Sequence, residues 1–212
     1  MGSDRLREEQ ARFFSLTFSE HGATGRGVDW KDDAAQSLRF EQLLRVLDTS
    51  GEFTINDYGC GWGALIPFLD AHGLRYRYCG YDIAEPLLAF ARSRYENDER
   101  KTFVADDGEL PVADYTVASG IFNRKFDTGG EEWTSYVLQT VDRMYSVSGV
   151  ATAFNLLTKY SDPERQRPDL YYADPAVVLD HCARHLSRHV TLLHDYGAYE
   201  FLVVVRREPF RA

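Results

Sequence analysis

Residues 55–63 read INDYGCGWG, and the fold turns on what this stretch is. Gly59, Gly61 and Gly63 occupy alternate positions directly after a strand-like run at 53–58, and Asp57 lies two places before the first of them. Residues 64–72 then carry helix-like spacing, and Gly73 falls where a C-terminal cap belongs. Strand, glycine turn and helix in that order exclude a hairpin, in which a second strand would follow. Gly59 permits the tight turn, Gly61 withdraws a Cβ where a ligand would press on the backbone, and Gly63 lets the helix start close to a sheet.

The pattern continues on both sides. Residues 4–20 predict a helix, with Leu6, Phe13, Phe14 and Leu16 apolar among charges. Residues 21–33, HGATGRGVDWKDD, are a loop, and 34–47 predict an amphipathic helix bearing Leu38, Leu43, Leu44 and Leu47. Downstream, strands are predicted at 76–81, 102–105, 115–119 and 150–157. Helices are predicted at 85–96, at 131–145, and from the Asp174 cap and Pro175 to about residue 185. Two late strands, 190–194 and 199–206, flank a turn at Gly197 that suits only antiparallel neighbours. The predicted fold is α/β: a doubly wound, seven-stranded, mostly parallel sheet whose last strand is antiparallel. Helices are expected on both faces, in one domain over 1–212, with a helical cover or lid at 1–50 and the α/β core at 51–212.

Composition narrows the function. With 44% hydrophobic residues, the 212-residue chain suits one domain with a full core. The net charge of −9, with no dense Lys/Arg run, argues against nucleic acid as a partner. Cys60, Cys79 and Cys182 form no CxxC pair and fit a reducing compartment. The charged start, MGSDRLREEQ, is no secretory signal, and no apolar run reaches the roughly 20 residues of a membrane span. The expected location is the cytoplasm, with no membrane partner. No metal-ligand constellation stands out, so no metal is expected.

A nicotinamide reading deserves weighing, because Gly59, Gly61 and Ala64 satisfy a loose GxGxxA and Asp82 lies about 20 residues on. Asp57 before the glycines, the closing antiparallel pair and the lack of room for a substrate domain count against it. The segment from Asp57 to Gly63 instead resembles motif I, D-x-G-x-G-x-G, of class I S-adenosylmethionine-dependent methyltransferases. Tyr81-Asp82-Ile83 resembles that family's acidic end of the second strand. Residues 103–107 with Leu110-Pro111 resemble its segment after the third, and DYTVASGIFN at 114–123 its motif IV. The resemblance spans roughly 50–206 and implies a Rossmann-like core with S-adenosylmethionine as cofactor.

The resemblance also implies roles. Asp82 takes the ribose hydroxyls, as a carboxylate accepting from two vicinal donors can. Asp57 orients the glycine loop and the cofactor's amino end, though helix capping is the alternative. Asp106, or else Asp107, meets the adenine amino group. Cys60, Trp62, Ile83, Ser119 and Gly120 complete the cofactor set. Two readings of Trp62 stand open: lining the methionine end, or packing against the N-terminal helices. Transfer is expected above Ser119-Gly120-Ile121-Phe122-Asn123, where Asn123 is the residue to hydrogen-bond a substrate.

Residues 155–172 are long for a connection and carry Lys159, Tyr160, Arg165, Arg167, Tyr171 and Tyr172. They are a lid candidate whose cations suit a carboxylate or phosphate, or else pair with Asp162, Glu164 and Asp169. Residues 21–30 are a second lid candidate. His194 is the base candidate by residue type, with a structural histidine as its rival; Tyr172 joins it and Asn123 as a catalytic candidate. The expected activity is O- or N-methylation of a small molecule. Alternatives are a protein or peptide methyltransferase, a non-methylating binder of the same cofactor, and, with NADH binding as its test, a dehydrogenase. The oligomeric state stays open.

Overall fold

A computed structural model describes residues 2–45 and 47–209. Position 46, within the helix predicted over 34–47, lies outside the described residues, as do residues 1 and 210–212 of the predicted domain. The chain divides into two compact units, Met1–Pro111 and Val112–Ala212.

The first unit runs α1 (Gly2–His21), α2 (Asp33–Leu44), β1 (Phe53–Tyr58), α3 (Leu65–Ala71), β2 (Tyr76–Tyr81), α4 (Glu85–Arg94) and β3 (Lys101–Val104). Asp32 caps α2 by accepting from the Ala35 amide at 2.7 Å. Pro86 sits in the first turn of α4, where the backbone N–H would be unpaired anyway. The three strands are parallel, with Phe53 to Tyr58 in register with Tyr76 to Tyr81 and Tyr78 opposite Lys101. Ile55 on β1, Ile66 and Leu69 on α3, and Leu87 and Leu88 on α4 are fully buried. The N-terminal segment packs against α4, with the Phe18 and Phe90 rings 5.5 Å apart edge to face.

The second unit runs β4 (Ala113–Ala118), α5 (Gly130–Ser146), β5 (Ser148–Leu157), α6 (Pro175–His181), β6 (Val190–Leu193) and β7 (Glu200–Arg206). On α5 the fully buried Trp133, Val137, Val141 and Met144 recur at helical spacing and form its core face. Asp174 and Pro175 start α6 as expected, with the Asp174 carboxylate accepting from the Ala176 amide at 2.9 Å. The regular helix stops at His181, short of the predicted 185. Residues 182–186 wind on as a wider π-helical turn.

All seven strands belong to one sheet, ordered β3-β2-β1-β4-β5-β7-β6. The last strand, β7, lies between β5 and β6 and runs antiparallel to both, with Val203 facing Phe154 on one side and Leu192 on the other. The seven-stranded, mostly parallel sheet with an antiparallel final strand is the predicted one.

Candidate functional site

In the first unit, β1 ends in the glycine turn. Gly59, Gly61 and Gly63 all have positive φ, so the turn needs residues without a Cβ. The amides of Gly59 and Cys60 both donate to the Tyr81 carbonyl, at 2.7 and 2.9 Å, which ties the turn to the end of β2. One β2 residue makes room for it. A Cβ on Gly80 would stand 2.7 Å from the Cys60 sulfur and 2.9 Å from the Phe103 ring. A glycine inside an apolar strand is the sequence signal for such an approach, and it was open to reading. Cys60 is buried and its thiol is pushed well up by that burial, so it is inert as a nucleophile.

Asp82 follows β2 and is buried. Its Oδ2 accepts from the Gly61 amide at 2.7 Å, and its Oδ1 from the Ala84 amide at 2.8 Å. Burial raises its pKa, while the amides of Ala84, Gly61 and Ile83 pull the other way. These amides do not use all four lone-pair sites of the carboxylate, so it can still accept from a hydroxyl. The residue therefore fits a hydroxyl of a vicinal diol while clamping the glycine turn. Ile83 beside it is half-buried.

Asp57 is also buried, and its Oδ2 accepts from the Tyr78 hydroxyl at 2.7 Å. Burial, with the charge of Asp82 adding to it, pushes its pKa up to about 7 against the opposing Tyr78 hydrogen bond. No side-chain cap is seen at the start of α3, so the helix-capping alternative for Asp57 is not realised. Tyr78, two residues before Gly80 on β2, is a partner that sequence spacing did not reveal.

After β3, Asp106 is exposed and accepts from the Gly108 amide at 2.8 Å, capping the short 3₁₀ turn Asp107–Glu109. Asp107 accepts from the Tyr58 hydroxyl at 2.6 Å and lies 3.7 Å from the Arg7 guanidinium of α1. Trp62 is buried, its indole N–H donates to the Thr24 carbonyl at 3.3 Å, and the Arg94 guanidinium lies 5.8 Å from its ring centroid. It thus anchors the loop at 21–30. The same loop brings Val28 over the turn: a Cβ on Gly61 would lie 2.9 Å from the Val28 Cγ1. Trp30 stacks under the Arg39 guanidinium at 4.6 Å.

In the second unit, residues 119–123 follow β4. Their main chain is held from outside. The Gly120 amide donates to Asn155 Oδ1 at 2.8 Å, Trp133 Nε1 donates to the Phe122 carbonyl at 2.9 Å, and the Tyr171 amide donates to the Asn123 carbonyl at 2.8 Å. Gly120 has φ +79°, a left-handed conformation that favours glycine. By contrast, Ser119 Oγ and Asn123 Oδ1 are buried and have no hydrogen-bond partner. Such orphaned polar atoms are rare and point to a missing ligand or water. Phe122 is fully buried against Phe154, in the core.

Asn155, whose amide nitrogen donates to Glu200 Oε2 at 3.0 Å, and Glu200 are both buried. Neither was singled out from sequence. The sequence signal was weak: Asn155 and Glu200 are polar residues in largely apolar strands that also carry Thr152 and Arg206.

The cations of 155–172 are paired, as the second reading of that segment held, with Asp162 and Asp169 among the expected partners and Asp174 an unexpected one. Lys159 bonds Asp174 at 2.6 Å, Arg167 bonds Asp169 at 3.1 and 2.6 Å, and Arg165 lies 3.7 Å from Asp162. Arg124 shares the Asp169 Oδ2, at 2.6 Å. The Lys125 and Phe126 amides donate to the Asp169 carbonyl at 3.0 and 3.2 Å. The excursion is therefore fastened to the segment after β4. The Tyr172 hydroxyl accepts from the Arg167 amide at 3.0 Å, within the excursion. His194 is exposed, its ring 6.3 Å from that of Tyr160 and 6.0 Å from that of Phe201. Among the described residues no group of His, Cys, Asp and Glu is arranged to hold a metal ion.

Residues 56–124 match the family model described as a methyltransferase domain. Over 164 residues the chain is 42% identical to the "Putative methyltransferase Rv1506c" of Mycobacterium tuberculosis, a match spanning 77% of this chain and 99% of that protein. Among solved structures it resembles the magnesium protoporphyrin IX methyltransferase ChlM of Synechocystis PCC 6803 with bound SAH. There the TM-score is 0.57 and the identity 16%, over 82% of this chain and 83% of that one. It also resembles the N-methyltransferase NodS of Bradyrhizobium japonicum WM9, with TM-score 0.57 and 16% identity over 85% of this chain and all of that one. These two likenesses speak for the fold. The sheet, the glycine turn and these relatives define a methyltransferase. The chain belongs to the class I, Rossmann-like S-adenosylmethionine-dependent methyltransferase family.

Proposed function

We propose that this enzyme methylates an oxygen or a nitrogen of a small molecule. The observation that carries the reading is the turn at 119–123, whose main chain is held at Gly120, Phe122 and Asn123 while Ser119 Oγ and Asn123 Oδ1 are left buried and unpaired. Two such atoms favour a compact polar ligand that replaces the missing hydrogen bonds. The net charge of −9 supports the exclusion of nucleic acid as substrate. Three unpaired, buried cysteines support a cytoplasmic location. No helix among the described residues is long and apolar enough to cross a membrane.

When bound, S-adenosylmethionine supplies a methyl group already activated on a sulfonium, so the protein's work is positioning and exclusion of water. Asp82 holds the ribose hydroxyls, and the turn from Gly59 to Gly63, with Cys60 and Trp62, supports the methionine end. Asp57 fixes that turn through Tyr78. Asp106, or Asp107, meets the adenine amino group beside Ile83. Ser119 and Gly120 serve the methyl-bearing end, and Asn123 Oδ1 accepts a hydrogen bond from the substrate's N–H or O–H. His194 is the base for an acceptor that must lose a proton. Tyr172 orders the excursion that closes on the post-β4 segment.

The test is incubation with methyl-labelled S-adenosylmethionine and a cell extract split by ultrafiltration. Label in the small-molecule filtrate is expected. Label confined to retained protein overturns the reading in favour of a protein methyltransferase, and tight NADH binding with no label would restore the dehydrogenase.

A further inference from the structure

Resting on the methyltransferase reading, the geometry points to Asn155 and Glu200 as a buried pair of positioning residues that sets the Ser119–Asn123 turn. Neither carries a charge or nucleophile to the reacting atoms. Their work is to fix one amide in space.

The chain of contacts is short. The Gly120 amide donates to Asn155 Oδ1 at 2.8 Å, and Asn155 Nδ2 donates to Glu200 Oε2 at 3.0 Å. Asn155 is 3% exposed and Glu200 1% exposed, so water does not compete for either bond. A side-chain amide has one accepting and one donating end. The Asn155 nitrogen donates to Glu200, so its oxygen faces Gly120. The carboxyl group thereby removes the flipped amide, in which nitrogen would confront the Gly120 N–H.

The consequence falls on Gly120, whose left-handed φ of +79° is one of two states open to a glycine. Accepting its N–H fixes which state it occupies. The flanking side chains inherit that choice, which is why Ser119 Oγ and Asn123 Oδ1 can stay unpaired and still be held in place. Asn155 faces Leu202 in the β5–β7 ladder and Glu200 faces Leu157, so both groups sit on rigid paired strands. A network of this kind preorganises a site at no cost when the ligand arrives.

The test uses the full chain, with S-adenosylhomocysteine as the binding probe and the Gly120 amide as a local reporter by nitrogen-15 NMR. Asn155→Ala is expected to move the Gly120 amide proton upfield and speed its exchange about tenfold. The same variant should weaken S-adenosylhomocysteine binding by about fivefold, the size of one ordinary hydrogen bond. Glu200→Met should do the same from one step further away. Glu200→Gln, which can turn its own oxygen toward Asn155, should keep both readouts within about twofold of wild type. Wild-type binding with unchanged affinity in a folded Asn155→Ala overturns the positioning role alone. No binding by the wild type overturns the methyltransferase reading and this inference with it. If both disruptive variants fail to fold, Glu200→Gln still decides: a folded protein that loses affinity or shifts the Gly120 amide refutes the hydrogen-bond geometry.

Discussion

Asp57→Asn isolates the energetic cost of a buried acid beneath the glycine turn. The Asp57 carboxyl has its pKa pushed from an ordinary 3.8 to about 7, chiefly by burial. Its protonated form is therefore favoured in the folded protein. Between pH 4 and pH 7 the unfolded chain has released this proton and the folded chain has not. Stability consequently falls as pH rises through that window, and it levels off once the folded carboxyl ionises too. The gap is about three pH units, at about 1.4 kcal/mol each, or ~4 kcal/mol. For a chain of this size that corresponds to about 10 °C in melting temperature. Asparagine is uncharged throughout and keeps an oxygen for the 2.7 Å bond from the Tyr78 hydroxyl. The assay is thermal unfolding of both proteins, without cofactor, from pH 4.5 to 8.5. The variant should gain steadily on the wild type up to pH 7 and run parallel to it above. Curves that run parallel from pH 4.5 onward would refute the buried, proton-holding state of Asp57.

Three further outcomes are expected. Asp82→Ala removes the acceptor of both the Gly61 and Ala84 amides and the proposed acceptor of the ribose, and calorimetry should find S-adenosylmethionine binding weakened by about a hundredfold; unchanged affinity sinks the ribose role. Gly61→Ala should cost about 1–2 kcal/mol in urea unfolding, because φ is +55° and the new methyl meets Val28 at 2.9 Å; adding Val28→Ala should recover part of it, and strictly additive losses would refute the contact. Asp169→Asn should speed hydrogen exchange in 123–126 and 167–171 while changing global stability by about 1 kcal/mol or less, and unaltered exchange would show that the two segments do not depend on each other.

How far the sequence could be read depended on distance along the chain. The ends of β1 at Phe53 and Tyr58, and of β2 at Tyr76 and Tyr81, were predicted to the residue, because each run begins after a charged residue, Glu52 or Arg75, and stops at Gly59 or Asp82. The cap at Asp174 was legible for the same local reason. The early end of α6 was not, since nothing in CARHL announces a change to a wider winding. Side-chain partners were hidden wherever they lie far apart in sequence. Tyr78 meets Asp57 across 21 residues, and Glu200 meets Asn155 across 45. Both pairs are set by strand register, which a single sequence does not display. Trp62 was left between two roles, and its bond to Thr24 places it under the N-terminal loop. The cations of the excursion looked ready for an anionic substrate, yet acids within the same unit already hold them.

The place of β7 has a consequence for synthesis. The last strand among the described residues, β7, is an interior one, paired to Ala151–Leu157 on one side and Val190–Leu193 on the other. While the ribosome is still adding it, β5 and β6 have no partner for those edges and cannot reach each other. At about 5–20 residues per second, that interval lasts from the emergence of β5 until residue 206 clears the exit. Throughout it, two apolar ribbons stand open to strangers. A nascent chain of this protein is thus most exposed to mispairing before β7 is made, and a truncation ahead of Glu200 would be felt in the middle of the sheet.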